Sequence, residues 1–452
     1  MAIISVDFAK EVGKVKPMHA TNNGPVVKTS DVKNGTTHPV NCNLYEFKAA
    51  GIPYARTHDS SYYHRYGIEH TVDVSAIFPN FDADPYHPDS YEFDCTDEYL
   101  KGCELAETEV FYRLGQRIEH TVKKFHIDPP KDYKKWAVIC EHIIRHYTEG
   151  WANGYRMKIT YWEIWNEPDL WWNTSQTRTT WTGTPKQFFD FYHEVATHLK
   201  GCFPHLKIGG PALALDVEWA EDFLAQLSAP LDFFSWHVYA HDVEKMVEKE
   251  IVFRNLLDKY GFTNTESILN EWNYVLEWEG DNFVYSHEQR RKEKGAAFTL
   301  AAMCASQYAP VDMLMYYDAR PDEFWNGMFD MMAVGRVLKG YYPFPMFNTL
   351  YRLGRCVEVS ADANAYLCAA KSDNEGAIVM THFNDDDSTL PQSFALDVNG
   401  FGGENGVEVE TFILDKTRNL ESLGKMTYYA DRFSLQLSVP NFTSYLFKLK
   451  KL

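Results

Sequence analysis

The sequence lacks long hydrophobic runs and has no excess of positive charge. Nowhere do about 18 apolar residues follow one another, which argues against a membrane-spanning helix. Lys and Arg number 44 against 63 Asp and Glu, so the formal net charge is −19 at pH 7. A chain this acidic repels nucleic-acid phosphates and anionic membranes. We therefore expect a neutral ligand, and neither a nucleic acid nor a membrane as partner.

The cysteines lack any regular spacing. All eight are scattered, with no C-x-x-C pair and no dense cluster, which argues against a zinc ribbon and against a disulfide scaffold. We predict that most of them are reduced and buried. The opening segment, MAIISVDFAKEVGKVK, contains no long apolar run preceded by basic residues. This predicts a cytoplasmic protein, or a secreted one if a signal peptide has been removed.

One helical segment superficially resembles a metal site. CEHIIRHYTEG places His142 and His146 four residues apart, with Glu141 and Glu149 nearby. The order is not H-E-x-x-H, and the segment offers no third ligand. We interpret it as the surface of an outer helix and predict neither a metal nor any other cofactor.

Short apolar segments alternate with longer amphipathic segments over most of the chain, as in repeated βα units. The predicted strands lie near residues 18–24, 53–58, 109–114, 160–166, 206–213, 232–239, 267–273 and 312–318. The predicted helices are 133–149, 185–200, 217–227, 242–260 and 287–307. Eight strands with interleaved helices predict an α/β fold, a (β/α)₈ TIM barrel that covers residues 17–355.

The pattern changes near residue 356. From there, strand-like runs such as GAIVMTHFN and FSLQLSVP are separated by Gly, Asn and Asp, with no predicted helix between them. The opening ISVDFAK alternates in the same way. We therefore predict an accessory β-sandwich, mainly C-terminal, formed by residues 1–16 and 356–452. An insertion at 60–108, rich in Tyr, Asp and Pro, is expected to form a long loop over the active face.

Two glutamates lie where barrel enzymes carry their catalytic groups, at the ends of strands. Glu167 closes the fourth predicted strand in YWEIWNEPD, and Glu271 lies near the end of the seventh in SILNEWN. Glycosidic cleavage needs two facing carboxylates, one to protonate the leaving oxygen and one to attack the sugar or activate water. A Glu at a strand end is commonly a structural acceptor, but the pair in this context favours catalysis. Glu163 shares a strand face with Glu167, and we interpret it as interior and structural.

At these residues the sequence resembles glycoside hydrolase family 39, the family of β-xylosidases and α-L-iduronidases. WEIWNEPD is similar to the family's acid/base segment, and ILNEWN to its nucleophile segment. MHATNNGP, RTHD, YRLG and SWHVY resemble other family motifs in the same order, so the resemblance runs from about residue 17 to 320. It implies a retaining enzyme in which Glu167 is the acid/base and Glu271 is the nucleophile that forms a glycosyl-enzyme intermediate.

The resemblance also implies sugar-binding roles around the pair. Asn166 would bind the sugar 2-hydroxyl through a contact that strengthens in the transition state. His58 and His237 would bind other ring hydroxyls, and Tyr239 would lie close to the nucleophile. A histidine at a strand end is more often structural, so these roles depend on the family match.

Four further residues have alternative interpretations. Arg56 is a candidate to keep Glu271 ionised, because a nearby guanidinium lowers a carboxylate pKa, or else it pairs with a barrel acid. Trp325 is a candidate stacking platform for the sugar, and a packing role is equally consistent with its sequence. Trp171 and Trp172 are candidates to line more distant subsites.

One position indicates which sugar the enzyme recognises, and one segment departs from the pattern expected for that sugar. In the iduronidase pattern a Lys stands two residues after the sixth-strand His, whereas here Tyr239 matches the xylosidase pattern. The segment MYYDARPDEFWNGMF departs from a xylosidase. We therefore predict a β-xylosidase-like exo-enzyme acting on small oligosaccharides or glycosides. An arabinose- or galactose-directed enzyme is the alternative; an α-L-iduronidase or a non-catalytic carbohydrate-binding barrel is less favoured. The sequence leaves homo-oligomer formation open.

Overall fold

Eight parallel strands close into a barrel. The computed structural model of the protein describes residues 2–58, 71–116, 122–174, 177–214, 216–321, 324–361, 364–402 and 405–452. The barrel strands are β2 (Ala20–Asn22), β3 (Tyr54–Arg56), β4 (Glu109–Leu114), β5 (Tyr161–Ile164), β6 (Lys207–Leu213), β7 (Phe233–Ala240), β8 (Glu266–Tyr274) and β9 (Met313–Tyr316). β2 pairs with both β3 and β9, which closes the barrel. The predicted (β/α)₈ fold is confirmed.

Helices cover the outside of this barrel. In the described parts of the chain they are α1 (Thr29–Asn34), α2 (Leu44–Ala50), α3 (Val74–Ile77), α4 (Asp94–Leu105), α5 (Tyr133–Thr148), α6 (Pro185–Cys202), α7 (Val217–Gln226), α8 (Val243–Lys259), α9 (Gly280–Arg290), α10 (Glu293–Tyr308) and α11 (Pro343–Leu353). α6 begins with a capping box in which the Thr184 hydroxyl accepts from the Gln187 backbone N–H, with Pro185 in the first turn. None of these helices is long and apolar enough to cross a bilayer.

Two of the predicted elements are wrong, one helix and one loop. The single helix expected over 287–307 is two helices, α9 and α10, which meet at a tight corner. A Cβ on Gly295 would lie 2.5 Å from the Arg290 Cα, so the close approach at this corner requires glycine. The insertion at 60–108 is not all loop, because it contains α3 and α4, and α4 packs against β4 as a regular barrel helix. Residues 60–70 of this insertion lie outside the described residues.

A nine-stranded sheet follows the barrel. Its strands are β1 (Ala2–Lys14), β10 (Arg355–Ser360), β11 (Ala365–Lys371), β12 (Glu375–His382), β13 (Gln392–Asn399), β14 (Val407–Leu414), β15 (Asn419–Tyr428), β16 (Arg432–Val439) and β17 (Thr443–Lys451). All neighbours pair antiparallel except β1 and β13, so the first strand of the chain is built into the C-terminal sheet. β15 and β16 form opposite edges, yet the rings of Tyr428 and Phe433 stack 4.2 Å apart. The sheet therefore folds over its own apolar core.

The β-rich C-terminal region is confirmed, while the exact domain limits of 17–355, 1–16 and 356–452 remain a prediction. The cysteine prediction also agrees with the structure. All eight cysteines are free, and only Cys95 and Cys202 are not fully buried.

A loop of the sheet region is bound to the barrel mouth. The loop follows β12, and its Asp385 accepts hydrogen bonds from Tyr274 at the end of β8 (2.7 Å) and from His241 just after β7 (2.9 Å). Lys294 of α10 lies 2.9 Å from carboxylate oxygens of both Asp385 and Asp387, and its side chain is 4% exposed. The sheet region thus helps to fix the ends of two barrel strands.

We expect Lys294→Met to destabilise the protein, because the substitution leaves two aspartates without their buried cation. Hydrogen bonds to charged groups contribute about 1.5–3 kcal/mol each, and the exposure of Asp387 reduces its share. The free energy of unfolding in a urea titration should fall by about 1–3 kcal/mol. Lys292→Met is the matched control, since Lys292 is exposed and lies 3.4 Å from Glu288. An equal change in both variants would contradict a special role for Lys294.

Candidate active site

Glu167 lies in a strained turn directly after β5. Its φ is +48°, a left-handed conformation that costs energy for a residue with a Cβ. The turn is held by two hydrogen bonds: the Glu167 N–H donates to the Ala212 carbonyl (2.8 Å), and the Thr180 hydroxyl donates to the Glu167 carbonyl. The side chain is 9% exposed. The turn therefore fixes the backbone that carries this carboxyl at the end of its strand.

Glu271 lies within β8 and is bound on both carboxylate oxygens. Oε1 accepts from the Arg56 guanidinium at 2.7 Å and lies 3.3 Å from His58 Nε2. Oε2 accepts from the Tyr239 hydroxyl at 3.0 Å. A guanidinium and a hydroxyl that donate to a carboxylate favour its ionised form.

His237 of β7 lies between the two glutamates. Its Nδ1 is 2.7 Å from Glu167 Oε1 and 3.5 Å from Glu271 Oε2. A carboxylate oxygen of each glutamate and a ring nitrogen of His237 lie within 4.8 Å of one another. The two carboxyl groups thus face each other across a single narrow gap.

The two glutamates have opposite protonation preferences. Burial and the nearby charge of Glu271 raise the pKa of Glu167 to about 8. Burial would also raise the pKa of Glu271, but its electrostatic interactions with His237, His58 and Arg56 outweigh burial and lower that pKa. Burial lowers the pKa of His237, so Arg56 is the permanent cation beside Glu271. Of the pair, Glu167 therefore favours its protonated form and Glu271 its ionised form.

Arg56, at the end of β3, joins the site to the barrel interior. Its Nε donates to Glu163 (2.7 Å), its Nη1 to Asn22 (3.0 Å) as well as to Glu271, and its Nη2 to Asn166 (2.7 Å). The guanidinium is fully buried. Arg56 thus pairs with Glu271 and with a barrel acid at once, so the two interpretations of this residue hold together. Glu163 is interior, as its strand position predicts.

Two buried side-chain nitrogens at the site have no hydrogen-bond partner among the described residues. Because Asn166 Oδ1 accepts from Arg56, its amide Nδ2 is oriented yet left without an acceptor. His237 Nε2 is likewise buried and unpaired. Buried polar groups are nearly always bonded, so such atoms indicate a place for ligand or water. Both belong to residues predicted to bind sugar hydroxyls.

His58 is positioned by a second buried arginine. Arg113 donates through Nη2 to the His58 carbonyl (2.6 Å) and to Asp73 (2.6 Å). The His58 ring packs edge-on against Tyr317, with ring centroids 5.1 Å apart. The ring is thereby held beside Glu271.

Trp325 lies at the rim of the same site. Its ring centroid is 5.1 Å from that of Tyr239. The other predicted tryptophans lie on the loop after β5, where Trp172 donates to Asp216 (2.7 Å) and Trp171 is 37% exposed. Sequence reasoning overlooked Trp278, which is 56% exposed and 5.3 Å from the Tyr239 ring. The sequence did contain a signal for it, because Trp278 lies seven residues after Glu271, in the segment that follows the strand of Glu271.

Among the described residues, the two histidines on α5 belong to no group of possible metal ligands. His142 Nδ1 contacts the Val138 carbonyl, whereas His146 contacts Asp97 and Trp151, so the two rings have separate partners. A different group, Glu141, His198 and Cys202, has ligand atoms within 4.8 Å of one another. Arg145 donates to Glu141 there, and its charge disfavours a second cation. That no metal is used remains a prediction.

A model of the family "Glycosyl hydrolases family 39" matches residues 60–268. A β-xylosidase of Caldicellulosiruptor saccharolyticus is 32% identical over 122 residues, which are 26% of this chain and 24% of that protein. A β-xylosidase of Geobacillus stearothermophilus is 35% identical over 121 residues, which are 26% of this chain and 22% of that protein. These matches span about a quarter of the length of the curated relatives.

Several crystal structures share the fold over the whole chain. A glucosidase from Croceicoccus marinus has a TM-score of 0.80 at 21% identity, covering 100% of this chain and 99% of its own. A monomeric β-xylosidase from Caulobacter crescentus has a TM-score of 0.73 at 14% identity, covering 100% of both chains. The family 39 enzyme from Xanthomonas axonopodis pv. citri has a TM-score of 0.71 at 15% identity, covering 100% of this chain and 98% of its own. At these identities the likeness describes the fold.

We expect the Glu167 carboxyl to titrate near pH 8, since burial and Glu271 both oppose its ionisation. Carbon-13 NMR of protein labelled at the glutamate carboxyls measures this midpoint, and Glu167→Gln assigns the signal. In Glu271→Gln the midpoint should fall, because the neighbouring negative charge is gone. A wild-type midpoint at the ordinary glutamate value, or one that Glu271→Gln leaves in place, would contradict the coupling.

Proposed function

Because the chain carries a glycoside hydrolase family 39 domain, we propose that it is a retaining exo-glycosidase that removes terminal neutral sugars by double displacement. The observation that supports this most directly is the geometry of the pair: carboxylate oxygens of Glu167 and Glu271 lie within 4.8 Å of each other, and Arg56 donates to Glu271. Retaining enzymes have closely spaced carboxyl groups, about 5–5.5 Å apart, whereas inverting enzymes need room for a water molecule between them.

In the first step, the ionised Glu271 attacks the anomeric carbon while Glu167 donates its proton to the leaving oxygen. The glycosidic C–O bond breaks, a sugar ester forms on Glu271, and the leaving group departs as an alcohol. Arg56 keeps Glu271 ionised for this attack, although the carboxylate is buried. The Tyr239 hydroxyl fixes the other carboxylate oxygen.

In the second step, water attacks the anomeric carbon while Glu167 takes a proton from that water, and the bond from this carbon to the Glu271 carboxylate breaks. The ester carries no charge, so the repulsion that raised the pKa of Glu167 in the free enzyme is removed. Glu167 is therefore ionised, and able to accept a proton, at the point where a base is needed. Release of the sugar restores the ionised Glu271 and the protonated Glu167.

The unpaired donors suit the terminal sugar. We assign Asn166 Nδ2 to the 2-hydroxyl of the sugar, because Arg56 already holds the other end of this amide. His237 Nε2 and the His58 ring are assigned to other hydroxyls. Hydrogen bonds from oriented donors to a ring that gains positive charge stabilise the transition state more than the bound substrate.

The substrate class favoured is a β-xyloside. Tyr239 stands where an iduronidase-like chain carries a lysine, so a sugar carboxylate finds no cation at this position. The curated relatives named β-xylosidase match the chain over about 120 residues. An arabinose- or galactose-directed exo-enzyme is the alternative, since the segment after β9 departs from the xylosidase pattern.

The mechanism is tested by azide rescue of two matched variants. Glu271→Ala should lose nearly all activity, and added azide should restore turnover with a glycosyl azide of inverted configuration, because azide replaces the nucleophile. In Glu167→Ala, azide should instead attack the glycosyl-enzyme and give an azide of retained configuration. NMR of the products distinguishes the two. Full activity in Glu271→Ala, or the same configuration from both variants, would refute the assigned roles.

The sugar is tested by a panel of aryl glycosides. We expect the highest kcat/KM for the β-xyloside among β-xyloside, α-L-arabinoside, β-galactoside and α-L-iduronide. The Glu271→Ala variant is the control for a contaminating activity. Preference for the iduronide would overturn the inference from Tyr239, and binding without cleavage of any member would favour a carbohydrate-binding barrel.

A further inference from the structure

Three alternate residues of β7 each contact a different glutamate of the barrel. The three pairs are Ser235 with Glu163 (2.6 Å), His237 with Glu167 (2.7 Å) and Tyr239 with Glu271 (3.0 Å). Ser235 is fully buried, and neither chemical step above uses it. A buried hydroxyl needs a partner for its oxygen as well as for its proton. The group that donates to the Ser235 oxygen therefore shows which part of the site this residue supports.

The Ser235 oxygen accepts from a bulge in the neighbouring strand. β6 pairs regularly with β7 up to Gly210, and the register shifts between Gly210 and Leu213. Inside this bulge Ala212 adopts a left-handed conformation (φ +55°), and its N–H donates to Ser235 Oγ (2.9 Å). A bulge interrupts the ladder of strand hydrogen bonds, so a buried N–H within it needs an acceptor from elsewhere. Ser235 supplies that acceptor and thereby fixes the bulge.

The same bulge supports the turn that carries the acid/base. The Ala212 carbonyl accepts from the Glu167 N–H (2.8 Å). Because the backbone of Glu167 is strained, its conformation depends on the bonds that surround it. The Thr180 hydroxyl holds the carbonyl side of Glu167, and the bulge holds the N–H side. Removal of the Ser235 hydroxyl would loosen the bulge and, with it, one of these two attachments.

The donor side of Ser235 leads to the nucleophile. Glu163 Oε1 accepts from Ser235, and Glu163 Oε2 accepts from Arg56 Nε (2.7 Å). The same guanidinium donates through Nη1 to Glu271 (2.7 Å). A continuous series of hydrogen bonds therefore runs from the Glu167 backbone to the Glu271 carboxylate. All its members are buried, and in such an interior a hydrogen bond is strong and costly to leave unmade.

We propose that Ser235 is a positioning residue for proton transfer, which holds the Glu167 turn at a fixed place relative to the nucleophile. This inference rests on the proposed glycosidase function. Ser235 acts through the backbone of the turn and not on the substrate. Its effect is confined to the proton transferred by Glu167, because Arg56 holds Glu271 directly.

The test compares two donors of the sugar found with the aryl glycoside panel. A dinitrophenyl glycoside has a leaving group that departs without a proton, whereas the leaving group of a phenyl glycoside needs the proton of Glu167. In Ser235→Ala we expect kcat/KM for the phenyl glycoside to fall about 10- to 100-fold, as for a small misplacement of a catalytic group. The dinitrophenyl glycoside should be cleaved close to the wild-type rate, which also reports that the variant is folded.

Three further variants complete the comparison. Glu167→Ala removes the acid itself and should show the same dependence on the leaving group, with a larger loss. Ser235→Cys keeps the size of the side chain but is a weaker donor and acceptor, so it should show a smaller loss of the same kind. Ser267→Ala is the matched control, because it removes another fully buried strand hydroxyl, which accepts from Trp236 (3.0 Å). It should not discriminate between the two donors.

An equal loss with both donors in Ser235→Ala, or no loss with the phenyl glycoside, would overturn the positioning role. The same discrimination in Ser267→Ala would also overturn it, because any buried hydroxyl would then have this effect. If Ser235→Ala does not fold, Ser235→Cys decides the question by the same criteria.

Failure of this inference is distinguishable from failure of the proposed function. If the wild-type protein cleaves neither donor, both are overturned. If it cleaves them, and Glu271→Ala does not, the glycosidase stands. A Ser235→Ala variant that treats the two donors alike then removes only the role of Ser235.

Discussion

The buried guanidinium of Arg56 is the interaction on which the site depends. It binds Glu163 and Glu271 together with Asn22 and Asn166, and so connects groups on or next to four barrel strands. A buried charge is tolerated only when it is paired and hydrogen-bonded, and each nitrogen of this guanidinium has an acceptor. The position of Glu271 and the pairing of the charges in the barrel interior therefore depend on the same side chain.

This arrangement also explains why two glutamates a few ångströms apart behave differently. Arg56 touches Glu271 but not Glu167, and one cation is shared between Glu271 and Glu163. Little positive charge remains to stabilise a third ionised carboxylate in this buried site. The pKa of Glu167 is therefore raised, and its protonated form is favoured. The two carboxyls thus differ because Glu271 interacts with His237, His58 and Arg56, whereas burial and the charge of Glu271 dominate at Glu167.

The sequence predicts the barrel strands, and it locates the two glutamates on their strands, because both leave local signals. Apolar alternation marks the strands, and the rule that catalytic groups follow strand ends selects Glu167 and Glu271. The contact of Arg56 with Glu163 leaves no such signal, since the two residues are 107 positions apart and meet only when the barrel closes. Trp278 was overlooked because exposure of a tryptophan depends on what packs around it. The corner between α9 and α10 was missed because it depends on the close approach of the backbones of Gly295 and Arg290. The spacing of apolar residues in the sequence gives no sign of that approach.

The loop after β12 makes the barrel depend on the sheet region, although the sequence patterns of the two regions suggest separate units. Asp385 holds the Tyr274 hydroxyl and the His241 ring, so a residue of the sheet region completes the frame of the barrel mouth. The first strand of the chain is meanwhile built into that sheet. If evolution replaced the C-terminal sheet by an unrelated one, the barrel mouth would lose Asp385. The first strand, β1, would also lose the strands with which it pairs. The barrel and its sheet are therefore expected to be inherited together.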